Sequence, residues 1–188
     1  MQHIMIEKEI KAIITDKLNQ GTEKEILYNE FKGEVNDELL RKILASRPSY
    51  QLKLGFKRKH FILSIIWVFF ILIELIIILD LMVSFDFKLF VSLIVSIYIT
   101  INIWKFDGRF FFPGILWFAF TILNTLRELN SIYQYDSDYK IILIFALVYS
   151  IILVVGIYLM YNIRKNIFSY YTWFKLISDP NSEIQFKN

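Results

Sequence analysis

Four long apolar runs, separated by short polar breaks, occupy the middle of the chain at about residues 61–83, 87–104, 110–126 and 141–163. A hydrocarbon core of about 30 Å takes roughly 20 apolar residues to cross as a helix. Each run therefore predicts a transmembrane helix, the third being the shortest. The runs are apolar on every side, and helices of that kind need lipid or other protein over their whole surface. Short connections make consecutive helices antiparallel neighbours, so an up-down four-helix bundle is expected over 61–163. Pro113 falls in the first turn of the third helix, where its missing N–H is harmless, or marks a kink together with Gly114.

Residues 1–50 change to the pattern of short amphipathic helices. Ile6, Ile10, Ile13, Ile14 and Leu18 follow i, i+3/i+4 spacing, and Gly21 breaks the run. Thr22 with Glu25 reads as a capping box opening a second helix, whose apolar face is Ile26, Leu27 and Phe31 and which Gly33 ends. Asn36 or Asp37 caps a third helix bearing Leu39, Leu40, Ile43 and Leu44, stopped by Pro48. Residues 51–60 (QLKLGFKRKH) form a basic linker ahead of the membrane. In the tail, 164–188, the turn signal Asp179-Pro180-Asn181 separates TWFKLIS from EIQFK. This predicts a short β-hairpin at the membrane surface, or else a loosely ordered terminus. The expected fold is thus an all-α membrane protein: four transmembrane helices, a three-helix cytoplasmic head and a short C-terminal hairpin.

Composition sharpens this picture. Hydrophobic residues make up 56% of the chain and aromatics 18%, above the roughly 45–50% apolar content of soluble domains, and the surplus lies in 61–163. Lys53, Lys57, Arg58 and Lys59 precede the first span, and Arg164, Lys165 and Lys175 follow the last, so the positive-inside rule puts both termini in the cytoplasm. Lys53, Lys57, Arg58, Lys59, Arg164 and Lys165 are expected to touch the anionic leaflet, each worth about 1 kcal/mol, or to act only as topology signals. Trp104 sits where an interfacial anchor belongs. No cleavable leader is expected at the N-terminus. The absence of cysteine excludes disulfides and thiolate chemistry, and His3 and His60 lie too far apart in sequence to suggest a cluster.

Glu74 is the position richest in candidate chemistry. It lies about 20 Å into the first span at 1.5 Å per residue, past the bilayer midplane, where a carboxylate is costly and function is the default reading. Antiparallel counting puts Ser92, Asn124, Tyr149 and Ser150 level with it, and Arg127 one turn further as an ion-pair partner. Such a layer binds a proton, an ion or a small ligand, or it is interhelical glue. The chain lacks HExxH, GxSxG and Gly-rich phosphate motifs, so no catalytic residue, metal or cofactor is expected. Asp136 and Asp138 read as a solvated loop. The second and third head helices are acidic or balanced, which argues against nucleic acid as a partner. The expected partners are the lipid bilayer and a second copy or another membrane protein. The expected role is a non-enzymatic membrane interaction or scaffold module. The alternatives are a small transporter, channel or ion-coupled subunit built on the Glu74 layer, and a membrane-disrupting defence effector.

Two stretches carry a resemblance. Gly21, Lys24-Glu25-Ile26, Tyr28, Asp37, Leu40, Ile43 and Ala45-Ser46-Arg47-Pro48, with Arg164-Lys165 through Phe168, Tyr170-Tyr171 and Phe186, are similar to the ends of small multi-pass membrane proteins of Bacteroidota that have a short helical head. The proline and glycine usual in the tail pattern are absent here. The resemblance implies a bacterial inner-membrane location and no particular activity.

Overall fold

The computed structural model describes residues 2–80, 87–132, 139–177 and 184–186. Eight helices run in order: α1 (Gln2–Asn19), α2 (Lys24–Phe31), α3 (Asp37–Ala45), α4 (Tyr50–Gly55), α5 (Lys57–Asp80), α6 (Phe87–Trp104), α7 (Phe111–Ile132) and α8 (Tyr139–Ile167), with a 3₁₀ turn at Gly108–Phe110 before α7. The described residues contain no strand, only the isolated bridges Lys32–Val35 and Tyr171–Leu176. Four helices, α5 to α8, are long and apolar enough to cross a membrane, and they mark the chain as a multi-pass membrane protein. The turn expected at 179–181, residues 81–83 of the first expected span and Asp136 and Asp138 lie outside the described residues.

The chain divides into two compact units: Met1–Arg58 with Phe106–Arg109 and Ile163–Asn188, and Lys59–Lys105 with Phe110–Asn162. In the first unit, α1 to α3 bury Ile10, Ile14, Leu18, Leu27, Phe31, Leu40 and Leu44. The Asn36 side chain accepts from Leu39 N (3.2 Å) and caps α3. The expected capping box at Thr22 does not form: α2 starts at Lys24, with Glu23 as its N-cap and no side-chain cap bond. Gly21 and Gly33 both take φ +98° at the helix ends, the left-handed conformation glycine adopts without strain. The expected linker is largely helical, since α4 fills 50–55 and α5 begins at Lys57.

The second unit packs the four apolar helices around aromatic side chains. Trp67, Phe70, Phe111 and Phe118 are fully buried. Trp67 and Phe118 approach with ring centroids 4.3 Å apart, and Phe70 meets Phe118 at 5.1 Å. His60 Nε2 lies 2.8 Å from the carbonyl of Ile103, and Lys59 donates to Asn162 (2.8 Å), so the start of α5 meets the ends of α6 and α8. Consecutive helices therefore run antiparallel. Two glycines allow close approach: Gly156 faces the Phe118 ring, and Gly114 faces Met160, Ile103 and Trp67, each where a Cβ would clash.

Candidate functional site

In the first unit, polar side chains from α2 and α3 meet the C-terminal tail. Lys24 is buried on α2, and its Nζ donates to Tyr170 Oη (2.9 Å) and to the Phe186 carbonyl (3.1 Å). Tyr170 Oη in turn donates to the Ala45 carbonyl (2.9 Å). Burial pushes the Lys24 ammonium down from 10.5 to about 7 and the Tyr170 phenol up. A neutral amine carries two N–H donors and finds two acceptors here, so the buried group is satisfied. On the neighbouring surface, Arg41 donates to Asp37 and to Tyr28 Oη (both 2.7 Å), and more weakly to the Ile184 carbonyl (3.4 Å). The Tyr28 hydroxyl bonds Asp37 and, with Arg41, holds that carboxyl below its usual range. The Phe186 ring closes over Tyr28 (5.2 Å between centroids) and is 4% exposed.

The segment 106–109 supplies a second buried cluster in the same unit. Phe106 takes φ +55°, strained for a non-glycine residue, and is buried near Phe168 (6.4 Å between centroids). Asp107 is 1% exposed. It accepts a fork from Arg109 (2.9 and 2.7 Å), and Arg47 lies 3.8 Å away. Burial alone would raise the Asp107 carboxyl, but the Arg109 fork and the charges of Arg109 and Arg47 outweigh it and hold it below its usual value. Gly108 N donates to the Ser46 carbonyl (3.0 Å) while the Phe168 ring covers its Cα, leaving no room for a side chain.

In the second unit, Ser92 Oγ donates to Glu74 Oε1 (2.8 Å), joining α5 to α6. Ser96, one turn further along α6, accepts from Trp117 Nε1 of α7 (2.9 Å). Glu74 Oε2, Ser150 Oγ and Trp67 Nε1 are buried with no hydrogen-bond partner among the described residues. Tyr149 is half-buried, its ring nearly parallel to that of Phe70 at 6.5 Å. Of the expected layer, the structure joins Glu74 to Ser92 and leaves Asn124 and Arg127 on the exposed side of α7. Depth counting fixes height along a helix and leaves rotation about its axis open.

Comparison with known protein families, curated proteins and solved structures finds no match for this chain. Among the residues expected at the membrane surface, Lys57, Arg58 and Lys165 are exposed. Lys53 bonds Asn19 (2.6 Å), Lys59 bonds Asn162, and Arg164 donates to the carbonyls of Tyr171 (3.4 Å) and Trp173 (2.6 Å). Sequence reasoning did not single out Lys24, Arg41, Asp107 or Arg109 as functional residues. A lysine and an arginine on an amphipathic helix read as solvated, and their partners lie up to 162 residues away. Within the described residues, no group of three or more His, Cys, Asp and Glu side chains is arranged to hold a metal.

Proposed function

We propose that this chain is a non-enzymatic interaction module of the bacterial inner membrane, with both termini in the cytoplasm, that docks a second copy of itself or another membrane protein. The observation that carries this reading is the first unit: Lys24 ties the N-terminal head to the tail, and the Ser46 carbonyl and Arg47 tie the head to Gly108 and Asp107. These segments flank the start of α5, the end of α6, the start of α7 and the end of α8. One unit outside the hydrocarbon draws on all of them when they emerge on one side, as an up-down bundle with a head and a folded tail requires. The basic residues at both ends favour the cytoplasm for that side. Fixed buried polar contacts specify one arrangement of a surface, and that surface carries apolar Ile13 (45% exposed) and Ile26 (56% exposed).

A photo-crosslinking residue at Ile26 is expected to trap a larger species in membranes, whereas one at Glu34 traps none. Equal trapping at both positions, or none at Ile26, removes the docking reading. Topology is tested separately in this cysteine-free chain. Glu25→Cys and Ser169→Cys are expected to react with an impermeant maleimide only after lysis, and Lys140→Cys in intact cells. The reverse pattern inverts the orientation.

A second reading has one observation in its favour, the unpartnered Glu74 oxygen beside Ser92 and Ser96. In that reading the carboxyl group carries a proton or cation across the bundle. Glu74→Gln would then abolish flux in proteoliposomes while leaving the fold intact.

A further inference from the structure

The first unit contains an open groove of about 760 Å³, lined by Lys42, Arg109, Tyr171, Trp173, Phe174 and Lys175 among others. Three cations face it against one carboxylate, that of Glu38, which pairs with Lys42 at 2.5 Å. Behind them, the buried Asp107 carboxylate is shared between Arg109 and Arg47, so it offsets one of those two guanidinium charges and the surroundings of the groove stay net positive. The Arg109 side chain is half-exposed, and the fork to Asp107 fixes its plane at the groove wall. A guanidinium held this way is pre-organised for phosphate oxygens.

The aromatic rim has its own scaffold. Thr172 N and Lys175 N each donate to the other residue's carbonyl (2.9 and 3.1 Å), closing a tight turn whose two central residues are Trp173 and Phe174. Ile177 N donates to the Tyr170 carbonyl (2.8 Å) and fastens the base of the turn. Arg164, in the last turn of α8, clamps the Trp173 carbonyl from below. The turn is thus tied to the end of a membrane-spanning helix, yet Trp173 is 73% and Phe174 65% exposed. Two large exposed aromatics on a turn tied to a span end match the aromatic belt at the headgroup level.

We propose that this groove binds the phosphodiester headgroup of an anionic phospholipid of the adjoining leaflet, with Arg109, Lys175 and Lys42 facing the phosphate and Trp173 and Phe174 entering the boundary with the acyl chains. The site needs only the membrane reading of α5 to α8 and is independent of what docks on the head. Two sources share the anionic chemistry, a lipid headgroup and free phosphate. The aromatic turn favours the lipid, because a soluble anion leaves both rings in water.

The test uses the full-length protein in neutral detergent, titrated with phosphatidylglycerol, phosphatidylcholine or inorganic phosphate while the thermal midpoint is followed. Phosphatidylglycerol is expected to raise the midpoint and phosphatidylcholine to leave it unchanged. In the double variant Lys42→Gln, Lys175→Gln, half-saturation should require about thirtyfold more phosphatidylglycerol, the loss that two surface cations imply. Both lysines are exposed and lie outside the buried clusters, so the variant should still fold. Trp173→Ser with Phe174→Ser should weaken the lipid response without creating one to inorganic phosphate. An unchanged half-saturation in the lysine variant overturns the proposal, as does an equal response to phosphatidylcholine. Stabilisation by inorganic phosphate at the same concentration also overturns it, in favour of a soluble anion.

Discussion

Lys24 is a cationic residue type held where water does not reach, and that burial sets a pH dependence with a definite sign. Its ordinary value of 10.5 applies to the unfolded chain, and burial lowers the folded value to about 7. Between these values the unfolded state holds the proton and the folded state does not, so stability rises as pH rises through the window and is flat below it. The full effect is of the order of a few kcal/mol. The thermal midpoint in detergent should climb between pH 7 and pH 9 for the wild type. Lys24→Met, of similar length and uncharged, should remove most of that slope, and a slope that survived the substitution would place the titration elsewhere. Other residues show how far sequence alone reaches. A cap at Asn36 or Asp37 is readable because its signal is local, and the structure selects Asn36. Asp107 carries no such local signal, because Arg47, which with Arg109 holds it, lies 60 residues earlier.

At the level of helices, composition and length carried most of the information. The second span was expected at 87–104 and runs Phe87–Trp104, while α7 and α8 extend several residues beyond the apolar runs that announced them. Arg127, Glu128, Asn130 and Ser131 continue α7 past the apolar stretch. What hydropathy could not give was rotation about each axis, and so Glu74 meets Ser92 while Asn124 is turned away. Lys57, Arg58 and Lys59 open α5 against its macrodipole, an unfavourable choice of about 0.3–1 kcal/mol each. On the proposed topology these residues face an anionic leaflet, whose attraction would be of similar size and would offset the cost. Packing supplies a sharper prediction. Gly156→Ala gains about 1 kcal/mol of helix propensity, but its Cβ would lie 2.5 Å from the Phe118 ring. Overpacking of this kind costs about 1–3 kcal/mol, so a net loss of stability is expected. Phe118→Leu, added to Gly156→Ala, should recover part of the loss, seen as a partial return of the thermal midpoint. A loss that the second substitution did not relieve would mean that ring and glycine are not the clashing pair.

For the molecule as a whole, the principal finding is that both ends of the chain, with residues 106–109, build one unit. Local patterning foresaw a head and a tail, each by itself, because periodicity reports on neighbours in sequence and is blind to contacts such as Lys24 with Phe186. Several residues that carry the resemblance to small Bacteroidota membrane proteins, namely Lys24, Tyr28, Asp37, Arg47, Tyr170 and Phe186, lie together in this unit. Phe186→Ala should cost about 3–5 kcal/mol, as for a buried phenylalanine. It should speed tryptic cleavage of the head in inverted membrane vesicles while membrane insertion stays intact. An unaltered cleavage rate would mean that the tail does not hold the head closed.

The Lys24 contact also orders events in time. The head is translated before any of the spans, but the carbonyl that receives one of its buried N–H groups belongs to residue 186. A nascent chain therefore exposes an unfinished head surface throughout insertion of all four helices, open to chaperones and proteases. The head can complete itself only after α8 has been made, so its closure reports that all four of these helices have left the ribosome.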